Sequence, residues 1–212
     1  IYTSIFLKYS SKVISVEPQE SLCLLQKKLF KEEIQNDRLI IEHIAIDSKN
    51  KIVELHINSK DLLSSTSKKY QTEVIPKEFS FTENIKTEAV QAKNIDSLIL
   101  KYGKPNYIKI DIEGSEEKAI MGLNHQIPLI SFECNIPYFK KEMFEILKKL
   151  STLGKYEYNF LKHKEFVFNS DLKSGNEIRS LVQNGSLSGV FDLYCFSSDY
   201  SLRTTGLYST MF

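Results

Sequence analysis

Hydrophobic and polar positions alternate most regularly between residues 106 and 113, where the sequence is NYIKIDIE. Isoleucines occupy every second position and charged residues stand between them, which is the two-residue period of a strand. Gly114 permits a tight turn after this strand, and Ser115 followed by two glutamates is typical of a helix start. The pattern therefore predicts a strand, a turn and a helix that runs from Ser115 to Leu123.

Apolar residues elsewhere follow either the period of strands or the longer period of amphipathic helices. Strands are predicted at residues 12–18, 38–47, 51–58, 106–112, 128–135, 156–160, 165–168 and 190–197. Helices are predicted at residues 1–9, 21–34, 94–102, 115–123 and 138–153. Strands that alternate with helices of about 10–15 residues are typical of βαβ units. We therefore predict an α/β protein with three layers around a doubly wound, mostly parallel sheet, whose closely spaced last strands add an antiparallel edge.

Two stretches lack clear periodicity. Residues 59–88 contain a polar run of serine, threonine and lysine and then Pro76. Long irregular loops in compact domains are often lids or binding loops, and a surface excursion is equally compatible with this composition. Residues 198–212 show no pattern either. We expect one domain over residues 1–197 and a loosely held tail over residues 198–212.

Composition and charge exclude several classes of protein. The 212 residues are 42% hydrophobic and 26% charged, which is ordinary for a globular domain with a sizeable core. The 28 basic and 27 acidic side chains leave a formal charge of +1, so no basic surface for nucleic acid is indicated. No run approaches the roughly 20 apolar residues of a membrane-spanning helix.

The cysteines and histidines form no disulfide or metal pattern. The three cysteines are far apart and have no CxxC spacing, which favours free thiols in a reducing compartment. The four histidines show no HxH or HxxxH spacing. The first residues have neither a cationic region nor a signal-cleavage site, so we expect a cytoplasmic protein.

Acidic residues recur where the predicted strands end. These residues are Glu17, Asp47, Asp111 with Glu113, and Glu133 followed by Asn135. The carboxyl ends of parallel strands meet along one rim of a sheet, where open α/β sheets bind their ligands. A carboxylate accepts hydrogen bonds from both hydroxyls of a ribose, which suits Glu17, and Asp47 is placed to meet an adenine amine. Any one of these carboxylates taken alone is better explained as a solvated loop residue, so it is their recurrence that indicates a nucleotide-like ligand.

Several short blocks are also arranged as in one enzyme family. They are YIKIDIEGSE at residues 107–116, Gly122, PLISFE at residues 128–133, VISVEP at residues 13–18, IAID at residues 44–47 and NIDSL at residues 94–98. In this order the blocks resemble the FkbM-type S-adenosylmethionine-dependent methyltransferases, and the resemblance covers residues 1–197. The IDIEG block with its downstream SFE is fairly specific, whereas VEP and AID are individually weak.

The resemblance implies a fold, a cofactor and a reaction. The fold is the Rossmann-like class I methyltransferase fold, a seven-stranded sheet with one antiparallel strand near its edge. The methyl donor is S-adenosyl-L-methionine, and the acceptor is commonly a hydroxyl, so we expect O-methylation of a sugar, glycan or small metabolite. The residues that match donor-contacting positions are Glu17 and Pro18 for the ribose, Ile46 and Asp47 for the adenine, Ser64 and Ser65 for a serine-containing loop beside the donor, and Asp111 for the methionine end.

The sequence departs from the family at its start. The family's first strand and its D-x-G-x-N-x-G turn, which cradles the donor, are absent, and residue 1 falls where the following helix begins. We therefore expect that the chain begins partway into the domain and that the first strand is missing. We also expect the 212-residue polypeptide alone to bind S-adenosylmethionine poorly.

Methyl transfer to an alcohol requires alignment of the acceptor oxygen and a base beside it. The candidate catalytic residues are Asp111, Glu113 and Glu133, together with Lys109. Close carboxylates raise one another's pKa, whereas Lys109 opposes that change. The alternative interpretation is a buried Lys109–Glu133 ion pair that only joins two strands.

Two other hypotheses remain open at this point. Asp111, Glu133 and Asn135 offer oxygen atoms to Mg²⁺, but nothing in their spacing fixes an octahedral set, so no metal site is predicted. The chain could also be a non-catalytic or other nucleotide-binding α/β module, such as a sugar-nucleotide transferase domain. The lack of DxD, GxGxxG and P-loop motifs counts against that function.

Overall fold

A computed structural model of the protein describes residues 2–58, 63–78, 86–162, 165, 167–168, 171–198 and 200. Its helices are α1 (Tyr2–Tyr9), α2 (Glu20–Leu29), α3 (Lys31–Gln35), α4 (Ile75–Glu78), α5 (Ile95–Tyr102), α6 (Glu116–Met121), α7 (Lys140–Leu153) and α8 (Gly175–Gln183), and a π-helix spans Tyr70–Val74. Its strands are β1 (Val13–Val16), β2 (Leu39–Glu42), β3 (Ala45–Ile46), β4 (Lys51–Ile57), β5 (Lys86–Lys93), β6 (Tyr107–Ile110), β7 (Leu129–Ile136), β8 (Tyr156–Lys162) and β9 (Gly189–Ser197). The predicted α/β class is therefore confirmed.

The described strands form three sheets, whereas the sequence predicted one mostly parallel sheet. Their orders are β1-β2, β3-β5-β4 and β6-β7-β9-β8. The pairs β1-β2, β3-β5 and β6-β7 are parallel, and the pairs β4-β5, β7-β9 and β8-β9 are antiparallel. One cause is a break in the predicted strand 38–47 after Glu42. Its first part pairs with β1 and its second part pairs with β5.

The largest buried apolar cluster lies on one face of the β6-β7-β9-β8 sheet. Helix α7 contributes an apolar stripe at the i, i+3, i+4, i+7 spacing of an amphipathic helix, and α6 and α8 lie beside it. Members of the cluster from the strands and from these helices include Ile110, Ile130, Phe132, Leu193, Ala119, Ile120, Met143, Ile146, Leu147, Leu150, Ile178 and Val182. Full burial of each large apolar side chain contributes about 1.5–3 kcal/mol, so this core fixes the strands whose ends form the site below.

Helix α1 packs on the opposite face of the same sheet. The ring of Phe6 meets the ring of Tyr107 edge-on, with 5.2 Å between the ring centroids. The same helix also contacts β1, which belongs to a different sheet. Helix α1 thus lies against strands of two sheets.

Several boundaries differ from the prediction for local reasons. The predicted helix 21–34 is divided at Phe30, whose backbone (φ −115°, ψ 38°) is not helical. Strand β5 lies partly within the stretch predicted to be irregular, and it is held on both sides by β3 and β4. Helix α8 begins with a capping box between Ser174 and Glu177 that the apolar pattern did not reveal.

The remaining expectations concern cysteines, membrane helices and the tail. All three cysteines are free thiols, as predicted, and all three are buried. Among the helices of the described residues, none is both long and apolar enough to cross a membrane. Within the predicted strand 165–168, the three described residues are not in a strand, and most of the predicted tail lies outside the described residues.

Candidate functional site

The centre of the candidate site is the turn at residues 111–115 (the 111–115 turn), which follows β6 directly. Glu113 and Gly114 both have positive φ angles, 54° and 89°. Such angles are unfavourable for residues with a Cβ, so Glu113 needs support from its neighbours. Gly114 is required for a second reason, because a Cβ there would lie 2.5 Å from the Phe139 ring.

A buried carboxyl group holds this turn from the side of helix α6. The Glu116 Oε1 atom accepts hydrogen bonds from the backbone nitrogens of Ile112 (3.0 Å) and Gly114 (3.3 Å). Burial raises the pKa of Glu116 to about 7, although the hydrogen bonds from the backbone act to lower it. Glu116 thus satisfies two partly buried backbone donors of the turn.

The catalytic candidates come together at the end of β6 and beside the middle of β7. Asp111 and Glu113 follow β6 directly, whereas Glu133 lies within β7, opposite Asp192, and not at a strand end as the sequence predicted. Asp111 Oδ2 lies 3.9 Å from the Lys109 ammonium group. Burial, together with the charges of Asp111 and Glu113, raises the pKa of Glu133 to about 8. Burial also raises the pKa of Glu113 to about 7, with Asp111 and Glu116 acting in the same direction. The site therefore contains more carboxyl groups than its one buried ammonium group can neutralise.

Lys109 forms an ion pair with a different carboxylate from the one that the sequence suggested. Its ammonium group pairs with Asp192 on β9, whereas the sequence suggested Glu133. Burial acts to lower the pKa of Lys109, but Asp111 and Asp192 outweigh it, so the pKa is raised and the group stays charged. The Tyr2 ring lies over this ammonium group, 5.2 Å from it. Sequence reasoning missed Asp192, although it is the single charged residue in the otherwise apolar run VFDLYCF.

Residues 63–78, here called the covering segment, pack against the 111–115 turn. The Ser65 hydroxyl donates a hydrogen bond to the Glu113 carbonyl oxygen (2.6 Å). A second hydrogen bond joins the hydroxyls of Thr66 and Ser115, which lie 2.9 Å apart. This part of the stretch that was predicted to be irregular is therefore ordered and packs over the 111–115 turn. Ser65, which was predicted to lie beside the donor, is hydrogen bonded to that turn.

The residues predicted to bind ribose lie near the same end of the covering segment as Ser65. Glu17 follows β1, and its Oε1 atom accepts a hydrogen bond from the Gln19 backbone nitrogen (2.8 Å). The Pro18 carbonyl oxygen lies 3.0 Å from a ring nitrogen of His43. The Ser64 hydroxyl donates to the Gln19 side chain (3.3 Å), next to the Ser65 bond described above. Adjacent serines thus connect the end of β1 with the end of β6.

Ile46 and Asp47, predicted to contact adenine, lie at the end of β3. The buried Asp47 carboxylate accepts hydrogen bonds from the Ser48 backbone nitrogen (2.6 Å) and pairs with Lys51 (2.9 Å), in both cases through Oδ1. Burial acts to raise the pKa of Asp47, but Lys51 and Ser48 outweigh it and lower the pKa. The Asp47 carbonyl lies 3.0 Å from where a Gly122 Cβ would be, so Asp47 borders the C-terminal end of α6.

Within the described residues, no group of three or more histidine, cysteine, aspartate or glutamate side chains is arranged to hold a metal ion. The site is instead a set of carboxyl groups around one ammonium group. Carboxyl groups with a pKa near neutrality can accept a proton, and their excess negative charge favours a cationic ligand.

Comparison with known proteins connects the chain to a family. The family model described as Methyltransferase FkbM domain matches residues 1–168. The crystal structure of Methyltransferase FkbM from Methylobacillus flagellatus KT is similar to the chain, with a TM-score of 0.52 and 13% sequence identity. The similarity covers 88% of this chain and 36% of that one, and at this identity it shows the fold alone. No curated protein matches the sequence significantly.

Proposed function

Because the chain belongs to the FkbM methyltransferase domain family, we propose that it acts in an S-adenosyl-L-methionine-dependent methyltransferase. The acceptor that we propose is a hydroxyl group of a sugar, a glycan or a small metabolite. The observation that carries this proposal is the convergence of Asp111, Glu113 and Glu133 around Lys109. The three buried free cysteines fit a reducing compartment, and we propose a cytoplasmic location.

The charges of the site fit the proposed donor. S-adenosylmethionine carries a sulfonium and an ammonium group, and both are cations. Asp111, Glu113 and Glu133 have raised pKa values because burial and mutual repulsion disfavour their charged forms. A bound cation relieves this repulsion, so the cluster is suited to a positively charged ligand.

The proposed donor contacts follow the ends of the strands. Glu17 and Pro18 would hold the ribose, Ile46 and Asp47 the adenine, and Asp111 the methionine end. Ser65 would act from the covering segment, through the turn that it bonds. For the fold we propose that β2-β1 and β6-β7-β9-β8 belong to one doubly wound sheet, because α1 packs against strands of both.

The residues of the site have separate roles in the proposed reaction. When bound, the donor supplies an electrophilic methyl group. Glu133 or Glu113 takes the proton of the acceptor hydroxyl, since a base with a pKa near neutrality is best matched to that task. Asp111 would hold the methionine end of the donor, and Lys109 would keep the cluster from losing all its negative charge by protonation.

The test is methyl transfer by the full-length protein from a labelled donor to glycans, lipids and small polyols. We expect Glu133→Gln to lower kcat by about 10²–10⁴-fold and Asp111→Asn to weaken donor binding. Glu145→Gln is the control, because Glu145 is an exposed carboxylate on α7. Unchanged turnover in both site variants would remove the carboxylate base, and absence of donor binding and transfer would remove the proposed activity.

A further inference from the structure

Two carboxyl groups flank the buried ammonium group of Lys109, and they do so unequally. Asp192 on β9 accepts a hydrogen bond from it, whereas the Oδ2 atom of Asp111 lies 3.9 Å from it. A hydrogen bond between an ammonium group and a carboxylate is about 2.7–2.9 Å long, so Asp111 is paired with Lys109 by charge alone. Among the residues that the structure describes, none donates a hydrogen bond to the Asp111 carboxylate.

The register of the strands shows how Lys109 reaches Asp192. Lys109 on β6 lies opposite Ser131 on the middle strand β7, and Asp192 on β9 lies opposite Glu133. Successive residues of a strand point to opposite faces, so Lys109, Glu133 and Asp192 are on one face of the sheet. The lysine side chain therefore extends sideways across β7 and not along its own strand towards Asp111.

The surroundings leave the ammonium group few other positions. Only 7% of the Lys109 side chain is exposed, and the Tyr2 ring lies over the ammonium group with its centroid 5.2 Å away. A buried ammonium group needs a carboxylate beside it, because burial of an unpaired charge is costly. If Asp192 were removed, Asp111 would be the remaining carboxylate that pairs with Lys109.

We propose that Asp192 is a positioning residue, which holds the Lys109 ammonium group on the β9 side and so leaves the Asp111 carboxylate free to bond a cationic ligand. The Asp111 side chain is 29% exposed, so a ligand can reach its oxygen atoms. At 3.9 Å the ammonium group still favours the ionised form of Asp111 by its charge. The statement about the ligand rests on the proposed function, whereas the hydrogen bonding of Lys109 does not.

The charged and titratable groups that face Asp111 come from several elements. They are Lys109 on β6, Glu113 in the 111–115 turn, Glu133 on β7, Asp192 on β9 and Tyr2 on α1. Asp192→Leu removes one of them, since leucine has nearly the shape of aspartate but accepts no hydrogen bond. In this variant we expect Lys109 to turn to Asp111 and the other groups to stay in place.

The first experiment locates the hydrogen bond of Lys109 by NMR in the full-length protein. A hydrogen bond transmits a scalar coupling between the lysine Nζ atom and the carboxylate carbon. We expect a coupling to Asp192 in the wild type, its retention in Asp192→Glu, and a coupling to Asp111 in Asp192→Leu. A wild-type coupling to Asp111, or a lysine that does not bond Asp111 in Asp192→Leu, would overturn the proposal.

A second variant covers the case in which Asp192→Leu does not fold. Asp111→Asn removes the charge of the other carboxylate, and the proposal requires the coupling between Lys109 and Asp192 to persist unchanged in it. A coupling that disappears or changes place in Asp111→Asn would show that the two carboxylates share the ammonium group, which contradicts the proposal.

A carbon-13 titration of the Asp111 carboxyl group separates the movement of Lys109 from the direct effect of the Asp192 charge. Asp192→Leu is expected to lower the pKa of Asp111, because a like charge is lost and the ammonium group comes closer. When the same substitution is made in Lys109→Met, only the like charge is lost, so a smaller decrease is expected. Equal decreases in both backgrounds would mean that Asp192 does not act through Lys109.

Donor binding provides the readout that depends on the proposed function. In calorimetry, Asp192→Leu is expected to weaken the binding of S-adenosylmethionine by about ten- to a hundredfold, because Lys109 then occupies Asp111. Asp192→Glu is expected to bind nearly as the wild type does, and removal of the lysine in Lys109→Met/Asp192→Leu is expected to restore part of the affinity. Unchanged binding in Asp192→Leu would overturn the statement about the ligand. If the wild type binds no donor, the proposed function fails, and the NMR results still decide the role of Asp192.

Discussion

The Lys109 ammonium group forms an ion pair with the Asp192 carboxylate, which lies two strands away in the β6-β7-β9-β8 sheet. Between them, on β7, Ser131 lies opposite Lys109 and is fully buried. The lysine side chain therefore crosses the middle strand to reach Asp192. The pair therefore joins the strand that carries the 111–115 turn to β9.

Replacing Lys109 with methionine tests this ion pair. We expect the free energy of unfolding to fall by about 2–4 kcal/mol, because the substitution leaves Asp192 partly buried without its cation. Urea denaturation provides the measurement. Lys101→Met is the control, since Lys101 pairs with Glu42 while 54% of its side chain is exposed, and a clearly smaller loss is expected there. Equal losses in both variants would show that the pair adds no stability.

The acidic cluster predicts how stability depends on pH. The pKa values of Glu113, Glu116 and Glu133 are raised to about 7, 7 and 8, well above those of an unfolded chain. The folded state therefore binds more protons than the unfolded state above about pH 4.5, and stability falls as the pH rises from about 5 to about 8.5. Carboxyl groups with lowered pKa values, such as Asp47, change the stability only at lower pH, where they become protonated.

Urea denaturation at several pH values measures this slope. In Glu133→Gln a neutral amide replaces the group with the highest pKa of the three, so a flatter profile and higher stability than the wild type near pH 8.5 are expected. Glu145→Gln, on the exposed face of α7, is expected to keep the wild-type slope. A wild-type profile that is flat or rises over this range would be the contrary result.

Gly114→Ala tests the contact between the 111–115 turn and Phe139. The added Cβ meets the ring at 2.5 Å, and the ring is itself packed, so we expect a loss of about 2–4 kcal/mol. Gly103→Ala is a matched control, because Gly103 has the same φ of 89° but no atom within 4 Å of the added carbon. Its cost of about 1 kcal/mol measures the backbone term alone. A similar loss in both variants would mean that the Phe139 ring moves aside at no cost and that the contact adds nothing to the loss.

Binding of the proposed donor is expected to release protons near pH 7. A cation beside Asp111 and Glu133 favours their charged forms and so lowers their pKa values. Calorimetry of the full-length protein in buffers of different ionisation enthalpy counts the protons released. Glu133→Gln is expected to reduce that number, and proton uptake by the wild type would oppose the proposed electrostatic fit.

The sequence was sufficient for the strand and turn at the centre of the site. The alternation of residues 106–113 placed β6 within two residues of its boundaries, and the glycine at 114 marked the turn that follows. Such local signals are reliable because a strand period and a turn glycine are properties of neighbouring residues.

The partners of those residues could not be predicted in the same way. Lys109 meets Asp192 from a distance of 83 residues, and Ser65 meets Glu113 from a distance of 48 residues. The first contact depends on the order of the strands in the sheet, and the second depends on where the covering segment lies. Neither can be predicted from the periodicity of neighbouring residues. Strand β5 was missed for a similar reason, because it is stabilised by pairing on both sides, whatever its own pattern.

Helix α6 has only six residues and is therefore about 9 Å long. Its first residue, Glu116, holds the 111–115 turn, and Gly122 directly after its end is packed against Asp47 and Ser48. So short a helix is expected to move as one rigid unit between the proposed methionine and adenine ends of the donor site. A side chain introduced at Gly122 is therefore expected to displace the whole helix, and through Glu116 to move the main chain of the 111–115 turn that carries Glu113.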